Sequence, residues 1–129
     1  MKQYLTSRLP PKQLTAQLSV PNIVCHQLDI NDWPAVQQLA KKLQGEGVTI
    51  DFLVANAAVG YDGGAHMPSP TIAEETLQTN TDSTIHWIKL FLPLLAPNGR
   101  VIVVSSEMAA LSRQSPRWQK LLNNPALTE

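Results

Sequence analysis

Short apolar runs bounded by polar or turn residues recur along the chain. Three of them predict β-strands, at about 23–28, 51–56 and 100–105. The second and third are continuously apolar at 52–55 and 101–104, which is typical of parallel strands covered on both faces. These runs therefore predict a sheet in the interior of the protein.

Apolar residues at helical spacing fall between and after these runs. They predict helices at 12–18, from an Asn31-Asp32 cap to Gly45, at about 72–95 and at 116–123. Residues 1–10 carry no clear period, and residues 57–70 have the glycines and prolines of a loop. Because strands alternate with helices, the pattern favours an α/β fold with right-handed crossovers and a doubly wound parallel sheet.

The composition narrows the class of protein without assigning a function. The 129 residues are 43% apolar and 16% charged with zero formal net charge, which indicates one globular domain. Balanced charge offers no basic field for nucleic acid and no polybasic stretch for a membrane, so we expect neither partner. The polar N-terminus has no apolar signal region. The lone Cys25 excludes an internal disulfide and favours the reducing cytoplasm.

Four polar positions fall where an open parallel sheet binds its ligands, or close to that edge. Asp29, Asn56 and the Ser105-Ser106 pair lie at the carboxyl ends of the three predicted strands, and Asn80 lies within the long helix. Each has a plain structural interpretation: Asp29 caps a helix, Asn56 satisfies backbone at a strand end, the serines form a turn, and Asn80 faces solvent. Taken singly, none of them indicates a function.

Several stretches in register resemble the short-chain dehydrogenase/reductase family. Residues 51–58 read Asp-Phe-Leu-Val-Ala-Asn-Ala-Ala, where the family strand normally ends Asn-Asn-Ala-Gly. Residues 77–83 resemble a helix motif that normally reads Asn-x-x-Gly, and 93–106 resemble a strand that normally ends Asn-Val-Ser-Ser. Residues 27–30 resemble the segment with the adenine-contacting acid. Residues 115–120 and 127–129 resemble the insertion of monomeric carbonyl reductases, so 112–129 is expected to be an insertion-like tail on a single incomplete Rossmann-like domain, 1–129.

The resemblance implies a nicotinamide dinucleotide, NADP(H) or alternatively NAD(H), and no metal. Asp29 would accept a hydrogen bond from the adenine amino group, and Ile30 would pack beside the ring. Asn56 would brace the central strand, Ala57 would lie against a cofactor ribose, and Ala58 would occupy the turn near the nicotinamide ribose.

The same resemblance implies the reduction of a small-molecule carbonyl in a ketone, aldehyde or quinone. Asn80 would help to hold a water in a proton relay, and Ser106 would hydrogen-bond the substrate oxygen as negative charge develops there. The insertion-like tail argues against dimerisation through a helix bundle, so we expect a monomer.

Two elements of the family pattern are absent from the sequence. The six glycines do not form the Gly-x-x-x-Gly-x-Gly turn that approaches the pyrophosphate, and Tyr4 and Tyr61 are followed four residues on by Arg8 and Ala65 rather than by lysine. The chain is therefore expected to be truncated at both ends, inactive alone, and marginally stable because two central strands are missing. Ala55, Ala58 and Ser83 are smaller departures; the last should crowd helix packing.

Three interpretations remain open at this point. The chain is an oxidoreductase by ancestry, with an incomplete domain, or it is a non-catalytic remnant that binds a partner such as a full-length relative. The third is an accidental similarity in another doubly wound domain, flavodoxin-like or receiver-like. A receiver needs acidic residues clustered at strand ends, whereas Asp51 begins its strand, so that interpretation is disfavoured.

Overall fold

A computed structural model describes residues 3–18, 21–60, 69–107 and 110–126, without the side chains of 15–17. Four strands alternate with helices in the described chain, which confirms the α/β prediction. In chain order the elements are β1 (Gln3–Ser7), α1 (Pro11–Gln17), β2 (Ile23–Gln27), α2 (Trp33–Gly45), β3 (Ile50–Ala55), α3 (Pro70–Leu77), a π-helical stretch (Gln78–Ser83), α4 (Thr84–Phe91), a 3₁₀ turn (Leu92–Leu94), β4 (Leu95–Val103), a 3₁₀ turn (Leu111–Arg113) and α5 (Pro116–Leu122).

The four strands form two separate two-stranded parallel sheets. In one, β1 pairs with β2 from Gln3 opposite Ile23 to Ser7 opposite Gln27. In the other, β3 pairs with β4. Each of the four strands therefore has a partner along one edge only. The two small parallel sheets and their helices form a partial Rossmann fold.

Strand β1 corrects a prediction made from the sequence. Residues 1–10 show no period, and two central strands were expected to be missing, yet Gln3–Ser7 forms a strand beside β2. In the strand order of the family that the sequence resembles, 3-2-1-4-5, β2 and β1 would take the first two places, and β3 and β4 the last two. One central position is therefore left without a strand among the described residues, rather than two.

Strand β4 begins earlier than predicted and contains a bulge. Ile50 pairs with Leu95, but Phe52 pairs with Arg100, so residues 96–99 of β4 lie opposite a single residue of β3. Residues 96–99 form this bulge. A Cβ on Gly99 would lie 2.8 Å from the carbonyl oxygen of Ile50, so the bulge needs a residue without a side chain there.

The strands of the two sheets run in the same direction. Asn31, which follows β2, donates from Nδ2 to Thr79 Oγ1 at 3.0 Å. Val59, which follows β3, exchanges two hydrogen bonds with the neighbouring Asn80 side chain, each 2.8 Å long. Because consecutive residues of one helix hold the segments after β2 and β3, the carboxyl ends of both strands lie at the same end of the molecule.

The core lies between the sheets and the helices α2 and α4. Helix α2 starts at Asp32, whose Oδ1 accepts from Ala35 N at 3.1 Å, and ends before Gly47, which has φ 66°. Its buried face meets Leu53 of β3 and Phe91 of α4. The buried cluster consists of Leu28, Val36, Leu39, Ala40, Leu43, Leu53, Phe91 and Leu94.

The opposite face of the β3–β4 sheet is exposed and apolar. Val54 pairs with Ile102, and both side chains are about half exposed, at 50% and 43%. Phe52 and Val104 are similarly exposed, at 56% and 57%. The prediction that both faces of these strands are covered is wrong for the described residues, and an apolar strip faces solvent instead.

Across the described ranges, every helix is too short or too polar to cross a lipid bilayer.

Candidate functional site

A cavity of about 770 Å³ runs between β1 and β3, where the two sheets face each other. Along its length it is lined by β1 and by β3, and at its carboxyl end by the segments that follow β2 and β3. The residues at that end are Asp29, Ile30, Asn31, Asn56, Ala57, Ala58 and Val59. All five residues predicted to bind a cofactor therefore line one cavity.

Asp29 lies at the carboxyl end of β2 and holds the turn into α2. Its Oδ1 accepts from the backbone N–H of Asn31 at 2.9 Å, and its carbonyl oxygen accepts from Asp32 N at 3.0 Å. The cap of α2 is Asp32 rather than Asp29, so the predicted capping role does not explain this carboxylate. Asp29 is half-buried and Ile30 lies beside it at the cavity wall.

Asn80 fixes the segment that follows β3. Its Oδ1 accepts from Val59 N and its Nδ2 donates to Val59 O, so both polar atoms of the amide contact one backbone unit. The side chain thereby holds the segment 56–59 at the mouth of the cavity. Among the described residues, Asn80 itself is not part of the cavity wall; its predicted role with a relay water stays a prediction.

A chain of partly buried hydrogen bonds connects the long helix to the start of α2. Trp33 Nε1 donates to Ser83 Oγ at 3.0 Å, and Ser83 Oγ donates to Asn31 Oδ1 at 2.8 Å. Asn31 Nδ2 in turn donates to Thr79 Oγ1. Ser83 is fully buried. The hydroxyl of Ser83 is therefore bonded on both sides, while the expectation that a serine crowds helix packing here stays a prediction.

The sequence did not single out Asn31, Thr79 or Val59 as site residues. The sequence pattern predicts only a helix cap at Asn31. The spacing of Thr79 and Ser83, four residues apart in the helix with the polar network, was a signal that these side chains share a face. Both are buried in the π-helical stretch, which sequence periodicity does not predict.

Ser106 follows β4 at the carboxyl end of the second sheet. The strand ends at Val103, and Val104 N donates to Ala55 O at 2.9 Å. Ser106 is exposed and stands apart from the described cavity wall. The structure places it at the predicted edge of the sheet, while its role toward a substrate oxygen stays a prediction. Residues 61–68, with Tyr61, and 127–129 lie outside the described part of the chain.

His26 of β2 is an ionisable group on the cavity wall whose environment disfavours charge. Burial lowers the pKa of His26 below its usual 6.5, and Lys42 lowers it further, while Glu46 opposes them. Its ring stacks on Tyr4, and its Nε2 is buried without a hydrogen-bond partner among the described residues. This environment therefore favours the neutral imidazole over the charged form.

The residues at the carboxyl end fit one part of a dinucleotide and not another. Asp29 provides a carboxylate and Ile30 an apolar contact at one wall, and Asn56–Ala58 provide a second wall, as an adenosine group requires. The sequence supplies no glycine turn for a pyrophosphate. No three His, Cys, Asp or Glu side chains within the described ranges are grouped as metal ligands.

Comparison with known proteins identifies the family. The family model of short chain dehydrogenases matches residues 5–116. The chain belongs to the short-chain dehydrogenase/reductase family. Carbonyl reductase [NADPH] 1 of Sus scrofa is 37% identical over 120 residues, and carbonyl reductase [NADPH] 3 of Homo sapiens is 35% identical over the same length.

The chain spans less than half the length of these relatives. The aligned 120 residues are 92% of this chain but 41% of the pig protein and 43% of the human one. The activity of the whole relatives is therefore a proposal for this chain.

Solved structures of the family share the fold. A short chain dehydrogenase/reductase of Saccharomyces cerevisiae superposes with a TM-score of 0.66 at 25% identity, over 83% of this chain and 44% of that one. RhlG of Pseudomonas aeruginosa, solved as an NADP complex, superposes with a TM-score of 0.67 at 22% identity, over 80% and 44%. The partial Rossmann fold of this chain is therefore shared with these solved structures.

Proposed function

We propose that this chain is part of an oxidoreductase that reduces a small-molecule carbonyl with NADPH. Residues 1–129 would hold the adenosine end of the cofactor without completing the machinery for turnover. The proposal rests on one observation above all: Asp29, Ile30 and Asn56–Ala58 line the carboxyl end of a single cavity. The names of the curated relatives, carbonyl reductase [NADPH], supply the substrate class and the cofactor.

The Asp29 carboxylate is suited to an adenine amino group. Its Oδ1 accepts a hydrogen bond from Asn31 N–H, which fixes the orientation of the carboxylate. The direction of Oδ2 is fixed with it, and Oδ2 is the acceptor for the adenine amino group. An ionised carboxylate accepts hydrogen bonds only, so a nucleobase amino group matches it and a carbonyl does not. Asn31 is fixed in turn by Thr79 and Ser83, so the acceptor is positioned before any ligand arrives.

The second wall would hold the ribose. The segment 56–59 carries small side chains at Ala57 and Ala58, and the amide of Asn80 fixes its end. Small side chains let a sugar approach the backbone closely. The dinucleotide, when bound, would supply hydride to a carbonyl carbon. Ser106 would then donate a hydrogen bond to the carbonyl oxygen of the substrate.

Turnover needs a general acid that the sequence does not provide. Family members pair a tyrosine with a lysine four residues on, and neither Tyr4 nor Tyr61 has one. We therefore propose that residues 1–129 bind NADPH but do not oxidise it against a carbonyl substrate.

The binding part of the proposal is tested by titrating NADPH into the chain by isothermal calorimetry. Asp29→Asn keeps the oxygen that accepts from Asn31 but replaces the other acceptor by a donor, so affinity should fall about tenfold. Asp51→Asn is the matched control, because Asp51 lines the same cavity at the amino end of β3. Equal losses in both variants, or none, contradict the proposed adenosine site.

The catalytic part is tested with the same protein by following NADPH absorbance. A panel of aldehydes, ketones and quinones should give no carbonyl-dependent oxidation. A single stoichiometric turnover by residues 1–129 contradicts the proposed division between binding and catalysis, and leaves the titration result to stand by itself.

A second candidate function is a non-catalytic partner of a full-length relative. The exposed apolar strip on the β3–β4 sheet favours it, because Phe52, Val54, Ile102 and Val104 leave one face of the sheet uncovered. Light scattering of the chain mixed with human carbonyl reductase [NADPH] 3 measures such a complex. If Val54→Ser abolishes the complex, the exposed apolar strip is supported as the contact surface. If light scattering of the wild-type mixture shows only the masses of the two separate proteins, the partner function is refuted.

A further inference from the structure

The hydrogen bonds that lead from Trp33 to Asn31 all donate in one direction, and that direction is set at Trp33. An indole N–H can donate a hydrogen bond but cannot accept one. Trp33 Nε1 donates to Ser83 Oγ at 3.0 Å, so the single hydroxyl proton of Ser83 is left for Asn31 Oδ1, which lies 2.8 Å away. The donor of Trp33 therefore determines which way the Ser83 hydroxyl points.

The Ser83 hydroxyl in turn determines the orientation of the Asn31 amide. A hydroxyl that donates toward Asn31 must meet the side-chain carbonyl oxygen, and this leaves the NH₂ group for Thr79 Oγ1 at 3.0 Å. Ser83 and Thr79 are buried, at 0% and 8% exposure, so water does not compete for either contact. With both polar atoms bonded, the Asn31 side chain is held in one orientation.

Asn31 transmits this orientation to the cavity through its backbone. Its N–H donates to Asp29 Oδ1 at 2.9 Å, and both Asn31 and Asp29 line the carboxyl end of the cavity. Trp33 and Ser83 stand outside the described cavity wall, so they act on a ligand only through Asn31. An acceptor that is held in place beforehand binds its donor more tightly, because less side-chain freedom is lost on binding.

Aromatic stacking fixes the outer end of this chain of bonds. The rings of Trp33 and His86 lie with centroids 4.5 Å apart and planes 16° apart, so α4 restrains the indole that supplies the donor. The family motif normally has glycine where Ser83 stands, and glycine has no hydroxyl. The connection from Trp33 to Asn31 is therefore a property of this sequence and not of the motif.

We propose that Trp33 and Ser83 are positioning residues for the Asp29 carboxylate, and that they set how strongly the site prefers adenine over a purine without the amino group. The inference rests on the proposed adenosine site and adds to it two residues that do not touch the nucleotide. An oriented carboxylate accepts from the adenine amino group, whereas a carbonyl oxygen at the same place is a second acceptor and is rejected.

The probes are NADPH and its hypoxanthine analogue, which has a carbonyl oxygen in place of the adenine amino group, titrated into the full chain by calorimetry. Trp33→Phe keeps a ring to stack on His86 and removes only the Nε1 donor. Trp118→Phe is the matched control, because it makes the same substitution at an exposed tryptophan of α5. Ser83→Ala, which removes the next group in the chain of bonds, is the second variant.

The wild-type chain should bind NADPH about tenfold more tightly than the analogue. Trp33→Phe and Ser83→Ala should each reduce this preference to about threefold or less, by weakening NADPH and leaving the analogue nearly unchanged. Trp118→Phe should keep the full preference. A purely structural role of Trp33 would weaken both dinucleotides alike, so an unchanged preference in Trp33→Phe overturns the positioning role, as does an equal loss in Trp118→Phe.

A second measurement needs no dinucleotide. In NMR spectra of the free chain, the side-chain NH₂ protons of Asn31 should exchange with water severalfold faster in Trp33→Phe than in the wild type, and an unchanged rate also overturns the positioning role. Asp29→Asn separates this inference from the adenosine site. If the wild type shows no preference, or if the preference survives in Asp29→Asn, the adenosine site itself is refuted. If the preference is lost in Asp29→Asn and kept in Trp33→Phe, only the positioning role is refuted.

Discussion

Replacing Ser83 by alanine should destabilise the protein out of proportion to the one oxygen atom removed. Ser83 is fully buried, and its hydroxyl both donates to Asn31 Oδ1 at 2.8 Å and accepts from Trp33 Nε1 at 3.0 Å. Each bond contributes about 1 kcal/mol net, and a buried group left without a partner costs about 1–3 kcal/mol.

The loss of the Ser83 hydroxyl should affect its two hydrogen-bond partners unequally. Trp33 is 41% exposed, so water replaces part of its lost bond, whereas Asn31 is half-buried and held by Thr79. We therefore expect a loss of about 2 kcal/mol in the free energy of unfolding, most of it from Asn31. Because Asn31 follows Asp29 at the cavity wall, NADPH affinity should also fall.

Urea unfolding followed by tryptophan fluorescence measures the loss, and Ser112→Ala is the control because Ser112 is exposed in a 3₁₀ turn. The control should change stability by less than about 0.5 kcal/mol. Ser83→Gly, which restores the family residue, should lose the same bonds as the alanine variant. If Ser83→Ala and Ser112→Ala unfold at the same urea concentration, the buried network does not stabilise the protein as described.

Two further predictions concern the bulge and the histidine. Gly99→Ala should lower the free energy of unfolding in urea by about 1–3 kcal/mol, because the new Cβ would meet Ile50 O. Gly45→Ala is the control: the space around Gly45 is open, so this variant should be neutral or stabilising by about 0.5 kcal/mol. Equal effects of the two substitutions refute the close approach at Gly99. Since the folded-state pKa of His26 is lowered below 6.5, the unfolded chain binds the proton first on acidification. Stability should therefore be full above pH 6.5 and fall below it, and His26→Phe should flatten that dependence; an unchanged slope in the variant contradicts it.

Much of the fold followed from local pattern. The runs at 23–28, 51–56 and 100–105 contain strands because a parallel strand with a packed face must be apolar, and the structure has strands at each. The cap at Asp32 was predictable because a side-chain oxygen must satisfy the first free N–H groups of a helix.

The elements that were missed depend on partners distant in sequence. Gln3–Ser7 alternates polar and apolar residues too weakly to predict a strand, and it becomes one through its ladder with β2. The π-helical stretch carries the side chains that bond Asn31 and Val59, which lie far from it in sequence. Neither can be seen in a local window of sequence.

The candidate site was likewise predictable only where it depends on local sequence and strand ends. Asp29 and Asn56 could be grouped in advance because the carboxyl ends of parallel strands meet at one edge. The bonding of Asn80 to the backbone of Val59 could not, since it depends on how the helix is rotated against the sheet.

The most direct test of the nucleotide site is an NMR titration of ¹⁵N-labelled protein with NADPH. We predict that amide shifts concentrate at residues 29–31 and 56–59, with little change at Gln3 and Thr49, which line the opposite end of the same cavity. Shifts confined to that opposite end, or no shifts at millimolar NADPH, would contradict a cofactor site at the carboxyl ends of β2 and β3.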